Sequence, residues 1–347
     1  VALSIVCAVG VNAEIVSGNC GANGDNVTWE FDTESGVLTI SGKGEMKNHS
    51  YYTSVPWSSY RERISTITIE NGVTNIGSYT FYGCTGLTYI TIPNSVTSIG
   101  SVAFSNCTYL TSLTIPNNVT SIENGAFYDC TGLATIAIPD SVTNIGINAF
   151  NGCTNLEKIV IPDNVIRIGI GAFDNTAWYT AWYQAQSDGL IYINRVLYKY
   201  KGSMPEDTEI IIKPDTVSIS DSVFESCTNL IGVTIPDSVT SIGDYSFYNC
   251  TNLKSISFPC SKISVGNYAF SGCTNISELY LSDIAAWCNY SYNPFLESLQ
   301  SIVLYLNGEK VSDLVIPEGV TSISPTAFSG CGSLTNIIIP DSVTNIG

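Results

Sequence analysis

The sequence predicts a mainly β solenoid, a right-handed stack of short parallel strands. Three observations predict it. The segment Ile92-Pro93-Asn94-Ser95-Val96-Thr97-Ser98-Ile99-Gly100 returns as Ile115-Pro116-Asn117-Asn118-Val119-Thr120-Ser121-Ile122 and again as Ile138-Pro139-Asp140-Ser141-Val142-Thr143-Asn144-Ile145-Gly146. Phe81, Phe104, Phe127, Phe150 and Phe173 recur every 23 residues, as do Phe224, Phe247 and Phe270. Each copy also carries a short alternating run of β-branched residues, which reads as a strand. A fixed period in this range marks a solenoid, whose units bury their apolar faces only by stacking.

The N-terminal run Val1-Ala2-Leu3-Ser4-Ile5-Val6-Cys7-Ala8-Val9-Gly10, ending at Val11-Asn12-Ala13, reads as the remnant of a secretory signal over residues 1–13. It is too short to span a membrane, and no later stretch is apolar enough to do so. Cys7 follows Val6, which argues against a lipid attachment site.

Residues 14–64 differ in pattern. Val27-Thr28-Trp29-Glu30-Phe31 and Val37-Leu38-Thr39-Ile40 flank Asp32-Thr33-Glu34-Ser35-Gly36, a hairpin signature. Pro56-Trp57-Ser58-Ser59-Tyr60 reads as a helical turn with its proline early. The expected role of this segment is an N-terminal β cap over the first coil.

Residues 65–347 hold the repeats. In Leu87-Thr88-Tyr89-Ile90-Thr91-Ile92, the strand is ended by Pro93, which has no amide donor. Val96 and Ile99 return to the core from a second extended piece, Gly100 turns the chain, and Ala103-Phe104 fill the inside. Leu87, Leu110, Leu133 and Leu156 form one expected inward ladder, and Ile92, Ile115, Ile138 and Ile161 another. Two longer intervals between phenylalanines place inserts near 177–213 and 281–315. The sequence stops at Thr344-Asn345-Ile346-Gly347, partway through a copy, so further coils, a wall anchor or a catalytic domain could follow.

This combination of Ile-Pro, Val-Thr, Ala-Phe and Cys positions resembles the BspA-like leucine-rich repeats, a 23-residue variety found on bacterial and protozoan surfaces. The resemblance covers roughly Ser65 to Gly347. The inserts, Trp178-Tyr179 to Tyr200-Lys201-Gly202 and Ala286-Trp287-Cys288 to Tyr305-Leu306-Asn307-Gly308-Glu309, resemble those of gut bacterial members. Local departures are Glu70 in place of proline, Thr176 in place of the ladder cysteine, and Lys213 with Pro214 one position late. The resemblance implies attachment to host protein, extracellular matrix or other cells.

Composition narrows the partners. Of 347 residues, 44% are hydrophobic and 12% charged, which excludes a disordered chain. Thirteen Lys and Arg against thirty Asp and Glu give a net charge of -17, which repels nucleic acid and anionic lipid. No loop has EF-hand ligand spacing.

Eight of the 12 cysteines fall three residues after a ladder phenylalanine: Cys84, Cys107, Cys130, Cys153, Cys227, Cys250, Cys273 and Cys331. Equivalent positions on stacked rungs lie about 4.8 Å apart, too far for the roughly 3.8 Å between disulfide Cβ atoms, so core thiols are expected. Without a Cys-x-x-Cys pair, zinc is unsupported, and no cofactor is implied. The single histidine, His49, is expected on the surface and would have to serve any histidine-based mechanism.

A parallel β-helix enzyme would need convergent carboxylates on neighbouring rungs. The outward row instead reads Tyr89, Ser112, Thr135, Lys158, then Gly232, Ser255, Glu278 and Asn336. Its neighbour reads Thr91, Thr114, Ala137, Val160, Thr234, Ser257, Tyr280 and Ile338. These hydroxyl-rich rows suit a contact surface, so Tyr89, Ser112, Thr135 and Lys158 are candidates for binding a protein partner. Trp178, Trp182 and Tyr183 of the first insert are candidates for a partner or for stacking a glycan, although packing of the insert explains them as well. Trp287, Tyr290, Tyr292 and Phe295 pose the same choice in the second insert. Sequons occur at Asn26-Val27-Thr28 and Asn289-Tyr290-Ser291. The expected role is therefore a secreted or cell-surface binding scaffold, with a carbohydrate-binding module or the non-catalytic part of a larger exported enzyme as alternatives.

Overall fold

A computed structural model describes residues 14–259, 263–289 and 301–347. The signal-like run with Cys7, Cys260, and Tyr290, Ser291, Tyr292 and Phe295 lie outside the described residues. The chain forms two compact units, divided between Ala185 and Gln186 inside the first insert.

The first unit opens with three antiparallel strands, Ile15–Gly21, Gly24–Asp32 and Val37–Gly42. The hairpin expected from sequence is thus one strand short, because Ile15–Gly21 alternates too weakly to announce itself. Val37–Gly42 then pairs in parallel with Thr66–Ile69, which pairs in parallel with Tyr89–Thr91. This hands the antiparallel cap over to the parallel stack. Short turns at Tyr52–Ser54 and Ser58–Tyr60 bring Trp57 into the core, where it is 1% exposed. Its Nε1 donates to the Thr80 carbonyl at 3.0 Å and its ring stacks on Phe81 at 5.9 Å.

Above the cap each coil contributes a strand from the Ile-x-Ile run and a shorter one from the Asn/Ser-Ile pair. The shorter strands Asn75–Ile76, Ser98–Ile99, Ser121–Ile122, Asn144–Ile145 and Arg167–Ile168 run parallel in exact 23-residue register. Gly100 shows why Ile-Gly recurs: a Cβ there would sit 2.7 Å from the Ser78 amide nitrogen and 2.8 Å from the Ile76 carbonyl oxygen. Phe81, Phe104, Phe127, Phe150 and Phe173 are all fully buried and stack rung on rung. The expected leucine ladder is buried throughout, whereas in the isoleucine ladder Ile115 and Ile138 are buried and Ile92 and Ile161 only half-buried.

Polar positions of the refrain also form ladders. The Thr97 hydroxyl donates to the Thr74 carbonyl, and Thr143 does the same to Thr120. Asn118 Nδ2 donates to the Asn94 carbonyl and Asn164 Nδ2 to that of Asp140. These bonds tie each coil to the one before it.

Each coil bends through two left-handed residues, two before and two after its phenylalanine. Around Phe127 these are Gly125 (φ 61°) and Asp129 (φ 54°), and around Phe150 they are Asn148 (φ 54°) and Gly152 (φ 78°). Val102 holds the first of these positions at φ 59°. A β-branched residue there is strained by about 1–2 kcal/mol. Val102→Asn, matching Asn148, is therefore expected to stabilise the protein by about 1 kcal/mol. Denaturant unfolding measures this, and an unchanged or lower midpoint would contradict it.

The second unit repeats the plan. After the hairpin of Gly189–Ile193 with Val196–Lys201, the longer strands Thr208–Ile211, Leu230–Thr234, Ser255–Ser257, Glu278–Leu281 and Val303–Leu306 pair in parallel. Val303–Leu306 turns through Asn307-Gly308 onto Glu309–Lys310 in antiparallel fashion. The helix Ile284–Cys288 of the second insert buries Trp287, whose Nε1 donates to the Ala327 carbonyl at 2.8 Å. Trp287 and Trp57 share one solution: a helical turn replaces the Ala-Phe turn, and the indole bonds the carbonyl just before the next phenylalanine.

Candidate functional site

On the first unit, the outward side chains of the longer strands line an open depression of about 620 Å³. Tyr89, Ser112, Thr135 and Lys158 all line it, as the sequence anticipates. Ser112 bridges Thr135, and Thr135 pairs with Lys158, so these three form one row. Tyr89 is 59% exposed, and Lys158 is the one charged group of the lining.

Trp178, Trp182 and Tyr183 lie on the helix Ala177–Ala185 and form a separate cluster. The Trp178 amide donates to the Leu156 carbonyl at 2.7 Å, docking the helix on the preceding coil. Trp178 meets Phe173 edge-on at 5.3 Å and stacks on Trp182 at 5.5 Å and 11°. Tyr179, which is buried, contacts both Trp182 and Tyr183. Trp178 thus continues the phenylalanine stack of its unit, while Trp178, Trp182 and Tyr183 each stay half-buried.

A second depression, of about 520 Å³, lies on the sheet of the second unit. Its rows are set by strand register. Glu209, Gly232, Ser255 and Glu278 succeed one another in the first row, and Ile211, Thr234, Ser257, Tyr280 and Tyr305 in the second. Tyr280 donates its hydroxyl to Glu278 Oε2 at 2.9 Å and stacks on Tyr305 at 4.4 Å. Burial and the neighbouring Glu278 push the Tyr280 phenol up to about 12. Glu209 and Tyr305 escape the repeat pattern because their strands abut the inserts and lack the Ile-Pro mark. The period does hold one clue, since Glu209 stands 23 residues before Gly232.

The remaining titratable groups are structural in setting. His49 is 9% exposed, which corrects the expected surface position. Its Nδ1 lies 3.1 Å from Ser54 Oγ, and burial followed by nearby Lys47 lowers its pKa. Every cysteine among the described residues is a free thiol. Cys107, Cys130 and Cys153 donate Sγ–H to the carbonyls of Phe81, Phe104 and Phe127 at 3.2, 3.0 and 3.1 Å. Cys250 and Cys273 bond Phe224 and Phe247 in the same way, whereas Cys227 is only half-buried. Among the described residues, no three His, Cys, Asp or Glu lie close enough to hold a metal ion. No helix among them is long and apolar enough to cross a membrane.

Stacked 23-residue coils with inward Leu, Ile, Phe and Cys ladders define a leucine-rich-repeat protein. The chain belongs to the BspA type leucine rich repeat family, whose model matches residues 58–179, 198–305 and 303–347 in six copies. Among solved structures it is similar to a leucine-rich repeat protein from Eubacterium ventriosum, with 22% identity, 96% of this chain and 94% of that one covered, and a TM-score of 0.41. A leucine-rich repeat protein from Bacteroides ovatus shows 23% identity, coverage of 93% and 89%, and a TM-score of 0.34. A leucine rich cell surface protein from Faecalibacterium prausnitzii shows 24% identity, coverage of 93% and 94%, and a TM-score of 0.36. No curated protein matches the chain.

Proposed function

We infer that this chain is a secreted or cell-surface repeat scaffold that binds protein and serves adhesion to host, matrix or other cells. One observation carries the reading: each unit presents an ordered, solvent-facing sheet face whose outward rows are held in register by its parallel strands. A face built on rigid stacked coils is ordered before a partner arrives, so little conformational entropy opposes binding. The signal-like run at residues 1–13 supports export. The net charge of -17 favours protein partners over nucleic acid or anionic lipid.

The test is capture of matrix proteins and cells by the immobilised, folded chain. Specific capture is expected, and uniform background binding would overturn the reading. A second reading rests on the Trp178–Trp182 stack, which keeps part of its surface open to solvent. If it is a glycan platform, Trp182→Ala abolishes a glycan-array signal given by the native chain. An unchanged signal, or none from the native chain, disposes of that reading.

A further inference from the structure

The two sheet faces are similar in size and opposite in charge. The first-unit depression has Lys158 as its one charged lining residue. The second-unit depression has two, Glu209 and Glu278, and both are acidic. No lysine or arginine of the described residues pairs with either carboxylate, and the one hydrogen bond to Glu278 comes from the Tyr280 hydroxyl.

The carboxylates are placed by register. Glu209 and Glu278 are three rungs apart on one row, with Gly232 and Ser255 between them. At the usual strand spacing their Cα atoms are separated by about 14 Å. Gly232 shortens the gap. A Cβ at that residue would meet Glu209 Cγ at 3.3 Å and Glu209 Cδ at 3.7 Å, so the Glu209 side chain lies along the row over the glycine. This brings its carboxylate about one rung inward, to roughly 10 Å from that of Glu278. The floor between them is hydroxyl-lined by Thr234, Ser255 and Ser257, and the Tyr280–Tyr305 pair flanks one end.

We propose that this face of the second unit binds an extended, basic peptide segment of a partner protein, with two Lys or Arg side chains seated on Glu209 and Glu278. The proposal rests on the scaffold reading and names its partner chemistry. Charge complementarity selects the ligand: two unpaired carboxylates at a fixed spacing attract two cations, and the tyrosine pair offers a ring surface to a guanidinium. An extended peptide places same-face side chains about 7 Å apart at i and i+2 and about 13 Å apart at i and i+4. Flexible Lys or Arg stems bridge either spacing to the two carboxylates. The hydroxyl floor hydrogen-bonds the peptide backbone between them.

The experiment uses the full chain and a fluorescein-labelled peptide of alternating Lys and Ser, read by anisotropy at about 150 mM salt, where long-range attraction to the acidic surface is screened. A peptide with Gln for Lys serves as the uncharged control. The native chain should bind the Lys peptide and not the Gln peptide. Glu209→Gln and Glu278→Gln should each weaken binding by about tenfold. Asp163→Asn, which removes an exposed charge from the first unit, should leave it unchanged. Both glutamates reach the surface and the Gln variants keep their shape, so a thermal melt separates binding loss from misfolding.

Any of three results would overturn the proposal: absence of Lys-peptide binding, equal binding by the Glu variants, or equal loss in Asp163→Asn. Displacement of the peptide by spermidine at a concentration no higher than the peptide's own would reassign the face to a small polyamine. Loss of a glycan signal in the Glu variants would reassign it to a sugar. Capture of matrix proteins or cells that persists in both Glu variants overturns this assignment and leaves the scaffold reading intact. Failure of all capture by the native chain overturns the scaffold reading itself.

Discussion

Phe127→Ala is expected to cost about 3–5 kcal/mol, enough to consume much of a domain's stability. Phe127 is fully buried and sits mid-stack, 5.3 Å and 3° from Phe104 on one side and 5.2 Å and 6° from Phe150 on the other. Truncation opens a cavity bounded by two rigid rings, and neither can move without breaking its own stack. The backbone cannot close the gap either, because the Phe127 amide is bonded to the Ala149 carbonyl and Phe104 to Ala126 on the adjacent rung. In a stack each coil touches only its neighbours, so a weak coil also weakens cooperativity between the coils on either side. Equilibrium denaturation should show a large loss together with a shallower or split transition. A single transition shifted by less than about 1 kcal/mol would mean the ladder relaxes more freely than its packing implies.

Stability should fall steeply at alkaline pH, driven by thiols. Burial pushes Cys84 and Cys20 up to about 12 and Cys331 and Cys288 up to about 11. Burial also raises Cys107 and Cys130, and Cys153 and Cys250 are raised as well, each mainly by its hydrogen-bonded thiol neighbour. The sign follows from linkage. An unfolded thiol has an ordinary pKa near 8.5, so it releases its proton at a pH where the folded thiol still holds on. The stabilising contribution is complete below about pH 8.5 and is lost as pH climbs toward the folded pKa values. Each such thiol subtracts up to about 1.4 kcal/mol per pH unit, and several act together. Chemical denaturation under reducing conditions between about pH 8.5 and 9.5 isolates the effect, because tyrosines ionise later. Cys84→Ala should lower the slope while shifting the absolute stability separately. A flat profile across that window would show that the thiols are far less buried than their geometry indicates.

Much of the fold is legible in the sequence, and the reason is repetition. A residue read once is ambiguous, but Leu, Ile, Phe and Cys returning every 23 residues must share one environment, and the buried ladders at Phe81–Phe173 and Phe224–Phe270 bear this out. The same logic correctly assigned the ladder cysteines as thiols, since period alone set their spacing on the stack. Where a segment occurs once, that leverage disappears. His49 looked solvent-facing and is buried, and Ile15–Gly21 gave no strand signal. The left-handed pair around each phenylalanine hid behind residues as different as Val102, Asn148 and Gly171.

Local pattern and period thus carry the coil, its core and its class, because burial at a repeated position constrains residue type directly. Tertiary structure alone decides which outward residues become neighbours. Glu209, Ser255, Glu278 and Tyr305 join one face through hydrogen-bonded register between strands that the inserts displace in sequence. That register depends on backbone pairing across coils, and it leaves no mark on the identity of the solvent-facing side chains it brings together.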